Sequence, residues 1–197
     1  MHRAAVTVLC ALGLWAAAAQ AAELPIFDAH VHFSHDAAAQ MPVKEAAAIL
    51  RKAGLKRALV SSSGDAGTQA LLAEAPDIVV PSLRPYRTRG ELSTWSQDDS
   101  VVGFLEDLLK RHRYAAIGEF HLYGADADRP VPRRMVALAS QHGLVLHAHA
   151  DVEAIERLFV QDPRSRILWA HSGFERPEQI AALLRKHQNL WCDLAFR

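Results

Sequence analysis

The sequence predicts an α/β fold in which a parallel sheet is covered by helices. Three observations predict it. Short apolar runs alternate with segments of helical period along nearly the whole chain. The runs are apolar almost throughout, as strands buried on both faces must be. The helical segments between them carry start and stop signals, with Pro or Asp at the front and Gly behind.

Taken in order, "LPIFDAHVHF" (24–33) reads as the first strand, and "PVKEAAAILRKAG" (42–54) as a helix with Pro at its start and Gly at its end. "KRALVSSS" (56–63) is a short buried strand, "TQALLAEA" (68–75) a helix, and "DIVVPSLRPY" (77–86) a strand broken late by proline. "SVVGFLEDLLKRHR" (100–113) has apolar residues near helical spacing, and "AAIGEFHLY" (115–123) follows as a strand. "VPRRMVALASQHG" (131–143) is a helix closed by Gly143, and "LVLHAHA" (144–150) a strand. "DVEAIERLFVQ" (151–161) is a helix with an aspartate cap, "SRILWAHSG" (165–173) a strand, and "RPEQIAALLRKHQ" (176–188) a helix with Pro177 in its first turn. "NLWCDLAF" (189–196) is the last strand. Seven strands thus alternate with six helices, an arrangement open to either a doubly wound sheet or a β/α barrel. No Gly-rich phosphate loop follows the first strand, which argues against dinucleotide binding.

The first residues stand apart. "MHR" is a basic start, 4–19 is an uncharged apolar run, and Ala19-Gln20-Ala21 fits a small-residue cleavage site. Residues 1–21 are therefore expected to be a secretory signal peptide, with the mature domain over 22–197 in the periplasm or outside the cell, and no stable membrane insertion after cleavage. Loss of the leader removes Cys10 and leaves Cys192 without an intrachain disulfide partner. The 197 residues are half apolar and carry no net formal charge. That balance excludes the basic footprint of a nucleic-acid binder.

Histidine is the abundant polar residue, at 11. His30, His32, His121, His147, His149 and His171 lie toward strand C-terminal ends, where active sites of parallel α/β folds form. Side chains alternate across a strand, so His30 and His32 share a face about 7 Å apart. Asp28 shares that face as an inward residue or as an acceptor orienting an imidazole. Glu119 ends "AIGE", His147 ends "LVLH" and His171 ends "ILWAH", each expected at one level of its own strand. Imidazole nitrogen and carboxylate oxygen are the donor set for a divalent metal, with zinc the expected ion. His149 shares a face with His147 and rivals it. His121 shares a face with Glu119 and either contacts substrate or caps the loop beginning at Leu122. Arg84 in "SLRPY" either anchors a substrate carboxylate or phosphate or forms a surface salt bridge. Tyr86 and Trp95 are loop aromatics of a pocket or of the barrel rim.

"DAHVH", "IGEFH", "VLHAHAD" and "WAHSG", in this order, resemble the amidohydrolase superfamily, and in particular its amidohydrolase-related branch; the glutamate after "IG" is also similar to that of the TatD-like hydrolases. The resemblance spans roughly residues 24–197. It implies a metal-dependent (β/α)8 TIM barrel, incomplete here before strand eight. His30, His32, Glu119, His147 and His171 match the metal positions, and Arg84, His121 and His149 are candidates for substrate contact. The family's catalytic strand-eight aspartate has no counterpart, and Asp193 on the seventh strand reads as an inward polar residue. The implied function is hydrolysis of a C–N, C–O or P–O bond of a small molecule through a metal-activated water. The alternatives are a metal-dependent decarboxylase of the same superfamily or a catalytically impaired metal-binding fragment. Open sheet edges at the first and last strands imply pairing into a homodimer.

Overall fold

The computed structural model describes residues 24–196. Expectations for the leader, residues 1–21, lie outside that range. Seven strands form one parallel sheet in the order β1 to β7 without a crossover. They are β1 (Ile26–His32), β2 (Leu55–Ser62), β3 (Val79–Leu83), β4 (Ala116–Leu122), β5 (Val145–Ala150), β6 (Arg166–Trp169) and β7 (Leu190–Cys192). Seven α-helices connect them: α1 (His35–Gln40), α2 (Val43–Lys52), α3 (Ala66–Glu74), α4 (Ser100–Arg111), α5 (Pro130–His142), α6 (Val152–Gln161) and α7 (Pro177–Lys186). The additional helix is α1, a short turn of "HDAAAQ" with no buried residue, whose length is too small to show a helical period.

The architecture is an incomplete TIM barrel. Sequential parallel strands with helices on one side curl because each strand is twisted relative to its neighbour. The curl brings His30 of β1 within 3.0 Å of Asp193, just beyond β7. Among the described residues β1 and β7 do not pair with each other, so both remain edges. Ile26, Phe27, Leu194 and Phe196 are exposed along this seam.

Helix boundaries follow the local chemistry. Pro130 and Pro177 open α5 and α7, where a missing N–H costs nothing. Asp151 caps α6 by accepting the Ala154 N–H at 2.8 Å. Gly143 ends α5 at φ 64, a left-handed turn that glycine enters without Cβ strain. The helices bury their apolar stripes on the outer face of the sheet. There Leu105, Met135, Leu146, Ile155 and Trp169 form one core, and Ala47, Val60 and Leu71 anchor a smaller one under α2 and α3. The inner face is left to polar side chains at the strand C-terminal ends.

Three strands are much shorter than the residue pattern predicts; the seventh ends at Cys192, before Asp193. The third ends at Leu83, before Arg84-Pro85. The sixth ends at Trp169, and Ala170–Phe174 form a 3-10 turn in which His171 and Ser172 take φ of 54 and 50. His171 therefore sits in a turn above the sheet and not on a strand.

Candidate metal centre

Glu119 is the hub. It is 3% exposed and lies at a bulge of β4, where the register with β5 slips between Gly118 and Phe120. Glu119 is the extra residue, unpaired between the Gly118–His147 and Phe120–Ala148 pairs, and its side chain reaches His149 on the neighbouring strand. Glycine is required below it: a Cβ on Gly118 would meet the His147 carbonyl oxygen at 2.1 Å, and φ there is +133.

Four histidines surround the Glu119 carboxylate. His32 Nε2 lies 2.9 Å from Oε2, and His30 Nε2 3.6 Å from the same oxygen. His149 Nδ1 lies 2.9 Å and His171 Nε2 3.3 Å from Oε1. His30 Nε2 and His32 Nε2 are themselves 3.1 Å apart. Side chains at i and i+2 of β1 do converge, at a place where the register of β1 with β2 is irregular between Asp28 and Val31.

Outer contacts orient these rings. His171 Nδ1–H donates to the Ala195 carbonyl at 2.7 Å, which leaves Nε2 to face Glu119 with its lone pair. His30 Nδ1 donates to Asp193 Oδ2 at 3.0 Å, which turns its Nε2 toward Glu119 and His32. His32 Nδ1 meets Ser61 Oγ at 2.9 Å. Asp28 does not orient an imidazole: its Oδ1 accepts the backbone N–H of His30 at 3.0 Å.

His147 lies apart from the Glu119 carboxylate. Its Nε2 donates to Asp193 Oδ2 at 3.1 Å, and the side chain is almost wholly buried. The bulge is the reason, since His147 pairs with Gly118 and Glu119 lies unpaired above that pair. Three groups of donor atoms thus lie within metal-binding reach of one another: His30, Glu119 and His171; His30, His147 and Asp193; and Glu119, His121 and His149.

Asp193, read from the sequence as an inward polar residue, closes the centre. One oxygen accepts from His30 and His147, and the other accepts the backbone N–H of His171 at 2.9 Å and of Ala195 at 3.1 Å. The signal for it was present: in "LWCD" an aspartate directly follows an apolar run, as His147 does in "LVLH". Arg84 is neither a surface salt bridge nor a free anchor. It is buried, with Nε on the Glu119 carbonyl at 3.0 Å and Nη2 on Glu119 Oε2 at 3.1 Å. Tyr86 and Trp95 are buried supports of His121 and not rim residues.

The electrostatics follow. Burial pushes the Glu119 carboxyl up, but hydrogen bonds from His149, His30 and His32 outweigh it and hold the group well below its ordinary value. Burial pulls His30 down, yet bonding to Asp193 and Glu119 raises it to about 9. Burial lowers His121 to about 4. The cluster is an anionic focus ringed by imidazoles. It opens into a cavity of about 330 Å³ whose outer wall includes Ser34, Asp36, Arg89, Leu92 and Phe196.

The fold and site define an open β/α barrel with a polar centre at its strand C-terminal ends. No protein-family model and no curated protein matches the chain. Among solved structures it is similar to phosphoribosyl anthranilate isomerase from Thermococcus kodakaraensis, at TM-score 0.47 and 19% identity over 73% of this chain and 70% of that one. The amidohydrolase resemblance and the hydrolase function drawn from it are corrected by these findings: no family model and no curated protein supports them. The decarboxylase alternative rested on the same superfamily and falls with it. Strand-end histidines on a barrel scaffold do not carry a reaction type with them. The comparisons support neither zinc in particular nor a signal peptide.

Proposed function

We propose that this chain is a metal-dependent barrel enzyme whose divalent ion is held by His30, His32, Glu119 and His171 and engages an oxygen of a small-molecule substrate. One observation carries the reading. Two imidazole nitrogens and a carboxylate oxygen face one another across 3.1, 2.9 and 3.6 Å. An ion that displaces the protons shared among these three atoms would take all of them as ligands at once, and bonds of about 2 Å fit such spacings. The contacts of Asp193, Ser61 and the Ala195 carbonyl behind the rings are the outer partners that orient metal-binding imidazoles. When bound, the ion would supply Lewis acidity to a substrate oxygen. The chain's own part is to orient the ligands, to neutralise Glu119 through Arg84, and to wall the cavity.

Metal removal by chelation followed by calorimetric titration with zinc, manganese and magnesium tests the reading. Wild-type protein is expected to bind a divalent ion, and Glu119→Gln to bind it at least tenfold more weakly with an unchanged circular dichroism spectrum. A folded wild type that takes up none of the three ions overturns it. The same proposal includes export of the mature domain and a small-molecule rather than a nucleic-acid partner. It also includes pairing of two chains through the β1 and β7 edges, whose apolar side chains are exposed.

A further inference from the structure

His121 differs from the other histidines of the centre in which nitrogen it turns outward. Its Nδ1 lies 3.0 Å from the Tyr86 hydroxyl, and its backbone N–H donates to that same hydroxyl oxygen at 2.6 Å. Tyr86 is fully buried. A buried phenol O–H needs an acceptor. The guanidinium of Arg84, whose Cζ is 4.9 Å from the Tyr86 ring centroid, offers only donors. His121 Nδ1 is then the acceptor, and the single proton of the neutral imidazole resides on Nε2.

We propose that His121 is a ligand-binding residue that donates its Nε2–H to an oxyanion of the substrate, and that Tyr86 is the positioning residue that sets this tautomer. The inference rests on the metal-centre reading for what stands beside the oxyanion. The ring is held from three sides. Tyr86 fixes Nδ1, Trp95 Nε1 donates to the His121 carbonyl at 2.8 Å, and the His149 ring stacks at a centroid distance of 4.2 Å and an interplanar angle of 24°. Nε2 makes no hydrogen bond among the described residues, and the ring lines the 330 Å³ cavity. A donor fixed in advance beside a cation is suited to an oxygen that carries or develops negative charge.

The contrast with His30 and His171 is chemical. Those rings donate from Nδ1 to Asp193 and to the Ala195 carbonyl, so Nε2 is the nitrogen each turns toward Glu119. His121 accepts at Nδ1 and presents N–H. It therefore does not serve as a metal ligand through Nε2, although it lies within 4.8 Å of the donor atoms of Glu119 and His149. The matching ligand is a small carboxylate or phosphate. Arg89 at the cavity wall, whose ion pair with Asp36 is solvent-exposed, adds a cation that exchanges readily to an incoming anion.

Two measurements test this on the full chain. In histidine-15N-labelled, metal-free protein, His121 should show a protonated Nε2 and an unprotonated Nδ1, and Tyr86→Phe should abolish that signature. A protonated Nδ1 in the wild type, or an unchanged signature in Tyr86→Phe, overturns the proposal. In zinc-loaded protein, acetate and inorganic phosphate are titrated separately to distinguish the two anion sources. His121→Ala should lower affinity for whichever binds by roughly tenfold or more. His121→Gln, whose amide N–H replaces the donor, should recover most of it, and bound zinc per chain should stay constant. Loss of zinc in His121→Ala makes His121 a ligand and overturns the proposal. If the wild type binds no metal, the earlier reading fails while the nitrogen signature still decides this one.

Discussion

Asp193 Oδ2 lies 3.0 Å from His30 Nδ1 and 3.1 Å from His147 Nε2, so one carboxylate oxygen ties the first strand to the fifth and to the end of the seventh. Its partner oxygen holds the His171 and Ala195 backbone N–H groups. All four neighbours are donors, and a carboxylate is the side chain that accepts from every one.

Asp193→Asn should therefore be damaging despite its size. Whichever way the amide is turned, its NH2 faces two donors. Stability should fall by about 2–4 kcal/mol, and metal affinity by roughly 10- to 100-fold, since an outer partner of a ligand is lost. Chemical denaturation and metal titration of the same preparation check both.

His147 and His171 should separate by readout. His171→Ala removes a nitrogen that faces Glu119 and should lower metal affinity by at least about 100-fold with a small change in stability. His147→Ala removes a buried group that positions Asp193. Its main effect should be a stability loss of about 2–3 kcal/mol, with the smaller share in metal binding. Equal loss of metal in both would place His147 in the ion's first coordination sphere.

Gly118→Ala should unfold or distort the centre. The added methyl would lie 2.1 Å from the His147 carbonyl oxygen at a φ of +133. Strands β4 and β5 cannot part without losing the bulge that lifts Glu119. A destabilisation of about 3 kcal/mol or more is expected, measured by urea unfolding. Gly103→Ala, where nothing lies within 4 Å, is the matched control and should be neutral or stabilising.

Asp65 offers a pH test away from the metal centre. It is buried at φ 61, its Oδ2 accepts from Tyr114 at 2.6 Å, and its Oδ1 has no hydrogen-bond partner among the described residues. Burial raises its carboxyl above the ordinary value. The folded state then binds the proton more tightly than the unfolded one, so stability falls as pH rises from about 4 through the raised value. Asp65→Asn, which also tolerates the left-handed backbone, should be more stable than wild type at pH 7 by about 1 kcal/mol. The gap should close as pH falls toward about 4. Thermal melts across that range check the sign.

The sequence by itself determined the alternation of strands and helices, and with it the parallel sheet, because apolar runs and helical periods are local signals. It also determined that polar side chains gather at strand C-terminal ends. His30 and His32 share a face by the period of two alone. What only the tertiary structure decided is which of these groups meet. The bulge at Gly118 raises Glu119 past His147 toward His149, and no local pattern marks a register slip between two strands. His171 left its strand because Asp193 and Ala195, more than twenty residues on, hold its turn. Tyr86 reached His121 across 35 residues of chain, and that contact chose the proton's place on the ring. Level, turn and tautomer are set by packing between segments distant in sequence, where residue period carries no information.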